Sequence, residues 1–167
     1  MDKNTRKTMH SSKNEHWGTP EEVLTPVRQV GKIILDPCSN KQSIVLAENN
    51  ICLPQDGLAE DWYKYNGLVY VNPPYGRKIF SWMVKCQQES CFGAEIIALV
   101  PSRTDTKWFQ GTIGRKNGAD AVCFWKGRIK FLGAPHPAPF PSVVAYWGPR
   151  VDKFKKVFGP KGWVVTQ

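Results

Sequence analysis

The sequence predicts an α/β fold in which helices pack on a doubly wound, mostly parallel sheet. Short apolar runs alternate with amphipathic segments along the chain, and this order is typical of such a sheet. The run at residues 93–101 is apolar without alternation, which indicates a central, parallel strand. The 167 residues, 41% of them hydrophobic, suffice for one domain with a sizeable core. We therefore predict a single domain at residues 16–167, preceded by a flexible basic tail at residues 1–15.

Charge and cysteine content indicate the environment and the class of partner. Lys and Arg number 23 against 14 Asp and Glu, and the net charge of +9 favours a polyanion such as nucleic acid. The five cysteines are scattered without a C-x-x-C pair, which indicates reduced, buried thiols in a cytoplasmic protein and no metal site. The N-terminal segment lacks the apolar core of a signal peptide, and no run is long enough to span a membrane. We expect no membrane partner.

Residues 67–76 carry the most informative pattern in the chain. An apolar, β-branched run ends in Asn72, Pro73, Pro74 and Tyr75, and a strand must end there because proline donates no ladder hydrogen bond. Open α/β sheets bind ligands at the carboxyl ends of their strands. The Asn72 side-chain oxygen and the Pro73 carbonyl there are suited to accept both N–H bonds of a flat amino group and so localise its lone pair. Tyr75 is suited to stack on the same group, although a plain turn is the competing interpretation.

This tetrapeptide resembles the catalytic motif of S-adenosylmethionine-dependent amino-methyltransferases, which act on adenine N6, cytosine N4 or glutamine nitrogen. Across residues 16–147 the chain resembles the phage-type DNA N6-adenine methyltransferase (Dam-like) family. The resemblance implies a Rossmann-like methyltransferase fold with a C-terminal antiparallel hairpin. Its segments are W-x-T-P at 17–20, D-P-C at 36–38, D-G-L at 56–58, N-P-P-Y at 72–75, P-S-R-T-D-T-K-W-F at 101–109 and K-G-R-I-K-F at 126–131.

The resemblance also implies which residues hold S-adenosylmethionine. The methionine end would be held near a helix start and by an acid after the first strand, and the adenine by a later D-G-L turn. The wider superfamily has a glycine-rich turn after that acid, whereas this chain has Pro, Cys and Ser, so close backbone approach lacks that support. The residues implied are Trp17, Thr19, Pro20, Asp36 and Cys38 for the methionine end, with Asp56 and Leu58 for the adenine.

Other interpretations of these segments remain open. Thr19, Pro20 and Glu22 also match a capping box, which predicts a helix with Thr19 as N-cap and Pro20 at its first position. Asp36 is also suited to cap a helix. Residues 43–47 are a candidate second strand, and Glu48 near its end is a candidate for binding the cofactor ribose. Residues 78–90 have the spacing of an amphipathic helix that packs back on the sheet.

Basic side chains follow two of the predicted strands. Arg103 and Lys107 come after the strand at 93–101, and we interpret them as phosphate contacts flanking the extruded base. The side chain of nearby Trp108 could act as a wedge, but we favour packing in the core. Strands are also predicted at residues 119–125, 128–132 and 142–147, with a stiff proline-rich loop before the last. The remaining candidates for phosphate contacts are Lys126, Arg128 and Lys130. Their charge would also protect an edge strand from aggregation.

We interpret the chain as an enzyme that transfers a methyl group from S-adenosylmethionine to adenine N6 in DNA, with the base flipped out of the duplex. Loops near 102–118 and 126–141 would read a short or relaxed target. The resemblance also implies protection against restriction. A protein-glutamine methyltransferase shares N-P-P-Y but is disfavoured by the basic charge and the missing glycine-rich turn. A DNA-binding module without turnover is the other alternative, and that same turn is its best support.

Overall fold

A seven-stranded sheet forms the centre of residues 18–167, which are the residues this computed structural model describes. The predicted tail at 1–15 and Trp17 lie outside the described residues. The strands are β1 (Ile33–Asp36), β2 (Asn49–Asn50), β3 (Leu68–Val71), β4 (Glu95–Pro101), β5 (Ala121–Trp125), β6 (Ser142–Trp147) and β7 (Gly162–Thr166). The helices are α1 (Glu21–Val30), α2 (Ile79–Cys91), α3 (Lys107–Thr112) and α4 (Val151–Phe158), with short 3-10 helices at Trp62–Lys64 and Gly159–Lys161.

The sheet has a parallel half and an antiparallel half. Its strand order is β2-β1-β3-β4-β6-β5-β7. Neighbours among the first four strands in this order pair in parallel, whereas β6 is antiparallel to β4 and β5, and β7 is antiparallel to β5. Residues 126–141, between β5 and β6, contain no helix, and a connection without a crossover helix returns the chain antiparallel. The sheet is therefore mixed, with as many antiparallel as parallel pairs, rather than mostly parallel.

Two buried layers hold the helices against the sheet. Side chains on a strand point alternately to opposite faces, so β4 contributes to both layers. Ile97 and Leu99 pack in the layer that contains residues of α1 and α4. Ile96 and Val100 pack in the layer that contains residues of α2 and α3. This two-sided burial explains the uninterrupted apolar run at residues 93–101, which the sequence indicated as a central strand.

Two predicted strands are wrong. Residues 43–47 are irregular, and the second strand is the two-residue β2 that follows them. Residues 128–132 form a loop, although their alternation of basic and apolar side chains matches a strand. Ile129 and Phe131 are buried, and the Leu132 amide donates to the Gly18 carbonyl at 2.8 Å, so every second residue anchors the loop to the core. A loop whose side chains are alternately buried and exposed therefore has the same sequence pattern as a strand.

The C-terminal segment adds a strand that the sequence did not predict. Helix α4 follows β6, and the chain then returns as β7 along the edge of β5. Only part of β7 is shielded, and its Trp163 is 70% exposed while stacking on Phe124 with ring centroids 5.3 Å apart. An edge strand with so little buried surface shows weak alternation, which explains why its sequence was not informative.

The cysteines differ in their burial. All five cysteines are free thiols; Cys86 and Cys123 are buried, but Cys91 is exposed, so the expectation of uniformly buried thiols is wrong.

Within residues 18–167, no helix has the length and apolar composition needed to cross a bilayer.

Candidate active site

The parallel pairing of β1 with β3 brings two predicted site residues to one edge of the sheet. Asp36 ends β1 and Asn72 follows β3, and neighbouring parallel strands end at the same edge. A cavity of about 40 Å³, here called the Asn72 cavity, lies between them and has room for a single small polar group. It brings together residues from three separate motifs of the sequence: Thr19, Asp36, Cys38, Asn72 and Pro74.

The Asn72 side chain is held by hydroxyl groups on both sides of its amide. Its Nδ2 donates to Thr19 Oγ1 at 3.1 Å, and its Oδ1 accepts from the Tyr75 hydroxyl at 2.8 Å. Thr19 Oγ1 is also 2.9 Å from the hydroxyl of Tyr70. The amide therefore has a defined orientation before any substrate is present.

Thr19 does not cap helix α1, and the capping-box prediction is wrong. The helix begins at Glu21, Pro20 occupies the N-cap position, and no side chain caps the helix there. The Thr19 hydroxyl is instead engaged with Tyr70 and Asn72, more than fifty residues away in the chain. The N-terminal motif thus reaches the candidate catalytic amide directly.

Tyr75 lies against the site with its hydroxyl directed inward. Besides Asn72, the hydroxyl has the Leu99 carbonyl as an acceptor at 3.1 Å. The ring meets those of Phe131 and Phe140 nearly perpendicularly, with centroids 6.0 and 5.7 Å away. Burial raises the pKa of Tyr75 well above its usual range, so the phenol stays protonated and acts as a donor.

Asp36 is a buried carboxyl group whose charge is poorly compensated. Its side chain accepts from the Cys38 backbone N–H at 3.2 Å, and no helix follows that it could cap. Burial raises its pKa to about 6, although hydrogen bonds from Cys38, Ser39 and Ser43 act in the opposite direction. A carboxylate in this environment favours a cationic ligand.

Cys38 is placed beside Asn72 but is not a reactive thiol. Its pKa is raised well above the usual range, first by burial and then by the Asp36 charge. The thiol therefore remains protonated at neutral pH and forms part of the cavity wall.

A second cavity, here called the Asp56 cavity, lies at the end of β2. Its volume is about 530 Å³, within the usual range for small-molecule sites. Asp56 lines it, while its Oδ1 accepts from the Leu58 amide at 3.0 Å. Leu58 itself packs against the core layer of α2 and α3 and does not line the cavity. The other lining residues are Glu48, Asn49, Asn50, Ile51, Gln55, Glu60 and Tyr65.

The turn at residues 37–39 lacks the glycines of the wider superfamily. A glycine from another segment lies close to it: an added Cβ at Gly57 would lie 1.8 Å from the Pro37 carbonyl oxygen. The turn is also tied to β2, because Ser39 Oγ donates to Asn50 Oδ1 at 3.0 Å. A glycine in the D-G-L segment thus permits that segment to pack closely against the turn.

The predicted phosphate-binding side chains are all exposed. Arg103 and Lys107 follow β4 at the same edge of the sheet as Asn72. The loop at 126–141 lies beside the site because its Leu132 pairs with Gly18. Lys126, Arg128 and Lys130 are the exposed cations of that loop. Trp108 is 8% exposed and packs in the core, as favoured.

Sequence reasoning missed several residues of the site. Tyr70 was overlooked, although residues i and i+2 of a strand share a face and Tyr70 lies two positions before Asn72. Asn50, Ile51 and Tyr65 line the Asp56 cavity, and their neighbourhood carried no recognisable spacing. Within residues 18–167, no group of three His, Cys, Asp or Glu side chains is placed to hold a metal ion.

Comparison with known proteins supplies the family. The model of the family described as DNA N-6-adenine-methyltransferase (Dam) matches residues 6–141. The chain belongs to this family. A DNA N-6-adenine-methyltransferase of Escherichia phage T1 is 28% identical over 111 residues, which cover 64% of this chain and 43% of the phage protein. The match thus spans less than half the length of that Dam relative. No solved structure matches the chain.

Replacing Asp36 by Asn should stabilise the protein near neutral pH. The folded-state pKa of about 6 lies above the usual 3.8, so stability associated with the neutral carboxyl is present below about pH 4 and is lost as the pH rises through 6. We expect Asp36→Asn to raise the free energy of unfolding by about 2–3 kcal/mol at pH 7.5, a difference that disappears near pH 4. Urea unfolding at both pH values measures it. The exposed Asp105→Asn is the control, and an Asp36→Asn protein less stable than wild type at pH 7.5 would contradict the prediction.

Replacing Gly57 by Ala should destabilise the protein. The added Cβ would collide with the Pro37 carbonyl, and separating the two segments should cost about 1–3 kcal/mol or more. The matched control is Gly111→Ala in α3, where a Cβ meets nothing within 4 Å and the helix should gain slightly. Urea unfolding compares both variants with wild type, and equal midpoints for the two would refute the role given to Gly57.

Proposed function

We propose that the protein transfers a methyl group from S-adenosylmethionine to adenine N6 in DNA. The observation that carries the proposal is the oriented Asn72 amide beside the buried Asp36 carboxyl, at the ligand-binding edge of the sheet. One group is suited to a neutral amino group and the other to a cation. Membership of the Dam family supports the choice of adenine in DNA.

The chemistry of the two cavities fits the cofactor. Asp36 would pair with the methionine amino group, with Trp17, Thr19, Pro20 and Cys38 forming the rest of that end. The Asp56 cavity carries the carboxyl groups of Glu48, Asp56 and Glu60, which favour hydroxyl and amino donors and disfavour phosphates. This composition suits a nucleoside without phosphate groups. Asp56 would accept from the adenine amino group, and Ile51, as well as the predicted Leu58, offers apolar contact. When bound, the cofactor supplies an electrophilic methyl group on a sulfonium.

Asn72 and Pro73 would orient the target amino group. Asn72 Oδ1 and the Pro73 carbonyl accept its two N–H bonds, and Pro74 stiffens the turn that presents them. Asn72 Oδ1 presently accepts from the Tyr75 hydroxyl, so a substrate N–H would take the place of that O–H. Tyr75 would then stack on the flipped base.

Among residues 18–167, no neighbour of Asn72 is suited to act as general base. Asn72 is a neutral amide, and burial keeps both Cys38 and Tyr75 protonated. Asp36 is assigned to the cofactor. The substrate proton would therefore pass to water after the methyl group has moved, without a covalent enzyme intermediate.

A methylation assay tests the proposal directly. Unmethylated DNA and labelled S-adenosylmethionine are incubated with the protein, and the nucleosides are identified by mass spectrometry. We expect N6-methyladenine, with a rate reduced at least roughly 100-fold in Asn72→Ala because the acceptor for the amino group is lost. S-adenosylhomocysteine should still bind this variant, as measured by calorimetry. Asn66→Ala, exposed at the start of β3 and away from the site, is the matched control.

Other outcomes of that assay would replace the proposal. Methylcytosine would keep the orienting role of Asn72 and change the base. No nucleoside product, but labelled protein, would favour glutamine methylation. No product together with no binding of S-adenosylhomocysteine would leave a DNA-binding module that uses the same scaffold.

Arg103 and Lys107 should contribute to DNA affinity through phosphate contacts. The double variant Arg103→Gln with Lys107→Gln should weaken DNA binding and reduce the slope of log affinity against log salt concentration by about 1–2. Arg115→Gln with Lys116→Gln removes the same charges at the opposite edge of the sheet and should leave the slope nearly unchanged. Fluorescence anisotropy over a salt series measures the slope for the two double variants. The same measurement can be applied to variants of Lys126, Arg128 and Lys130. Equal slopes in the two double variants would argue against this surface.

A further inference from the structure

A continuous chain of hydrogen bonds lies behind the candidate catalytic amide. It runs from the Tyr70 hydroxyl to Thr19 Oγ1 at 2.9 Å, from Thr19 Oγ1 to Asn72 Nδ2 at 3.1 Å, and from Asn72 Oδ1 to the Tyr75 hydroxyl at 2.8 Å. Tyr70 is fully buried on β3, and Thr19 is 3% exposed. The chain thus connects the N-terminal segment, β3 and the N-P-P-Y turn.

The donors and acceptors of this chain determine the role of each hydroxyl. Burial raises the pKa of Tyr70 far above its usual range, so its phenol keeps its proton and can donate it to Thr19 Oγ1, although either hydroxyl can be the donor in this pair. A hydroxyl group has two acceptor sites and one hydrogen. With Tyr70 and the Asn72 amide donating to Thr19, both acceptor sites are used. The Thr19 hydrogen is then left to donate to an acceptor in the Asn72 cavity, which Thr19 lines.

The orientation of the Asn72 amide decides whether the site accepts or repels an amino group. A side-chain amide turned by 180° would present Nδ2, which is a donor, to the N–H bonds of the substrate. Thr19 prevents this rotation of the Asn72 amide when the Thr19 hydroxyl hydrogen donates to another group. The Thr19 oxygen can then only accept a hydrogen bond from Asn72. Tyr70 keeps the Thr19 oxygen at the position where Nδ2 reaches it.

We propose that Tyr70 and Thr19 are positioning residues that hold the Asn72 amide with Nδ2 inward and Oδ1 toward the substrate. The inferred effect on rate rests on the proposed methyl transfer. The coupling between the Tyr70 hydroxyl and the Asn72 amide is independent of it and can be measured separately.

Nuclear magnetic resonance of side-chain amides tests the coupling. The Asn72 pair of ¹H–¹⁵N signals is assigned by its loss in Asn72→Asp. We expect Thr19→Val and Tyr70→Phe to shift this pair, and Thr19→Ser to restore it to near its wild-type position. Tyr146→Phe removes another buried hydroxyl, one that contacts Glu95 and Arg150, and should leave the Asn72 pair unchanged. Asn72 signals in Tyr70→Phe that match those of wild type would overturn the proposal.

Kinetics test the consequence for the reaction. With saturating cofactor and DNA, Tyr70→Phe should lower kcat roughly 3- to 10-fold while both KM values stay within about twofold, because one hydrogen bond that orients the amide is lost. Thr19→Val should lower kcat and weaken binding of S-adenosylhomocysteine, and Thr19→Ser should recover most of both.

Tyr146→Phe is the control for a merely structural effect. It should lower the melting temperature at least as much as Tyr70→Phe and leave kcat unchanged. A wild-type kcat in Tyr70→Phe, or a change confined to the cofactor KM, would overturn the positioning role. If the wild-type protein methylates no DNA, the proposed function fails, while the amide signals still decide whether Tyr70 controls Asn72.

Discussion

The parallel pairing of β1 with β3 is the constraint on which the candidate site depends. It places Asp36 and Asn72 at the same edge of the sheet, although the residues are far apart in the chain. The two side chains differ in what they can do there: one is a buried acid whose charge needs a cation, and the other is a neutral amide held in one orientation. The remaining parts of the site act on this pair, since Thr19 and Tyr70 form hydrogen bonds that reach the amide and the Cys38 backbone N–H donates to the acid.

The features that sequence predicted well were those with local causes. The ends of β1 and β3, helix α2 and the apolar β4 follow from side-chain spacing and from prolines that cannot extend a ladder. The capping role considered for Thr19 is wrong because its hydroxyl can cap a helix or reach across the fold, and distant partners decided between the two. Residues 128–132 were assigned to a strand because alternating burial looks the same in an anchored loop. Such outcomes depend on tertiary contacts that a local pattern does not contain.

The site was predictable in part for the same reason. Asn72, Asp36 and Asp56 lie in recognisable segments and line the two cavities, whereas Tyr70 required asking which side chain shares a strand face with Asn72. Gly57 shows a different limit. Glycine was expected in the turn after Asp36, whereas Gly57, about twenty residues later, is the glycine that permits a close contact with the Pro37 carbonyl. The need for glycine at that position arises from a tertiary contact, which a local pattern does not contain.

The buried Asp36 carboxyl group has a consequence for the lifetime of the protein. Near neutral pH its uncompensated charge favours opening of the structure, and a cationic ligand that neutralises it would add binding energy to the folded state alone. The population of opened molecules, and with it exposure to proteases, would then fall as the concentration of that ligand rises. The abundance of the protein in a cell would therefore follow the supply of the ligand that binds beside Asp36.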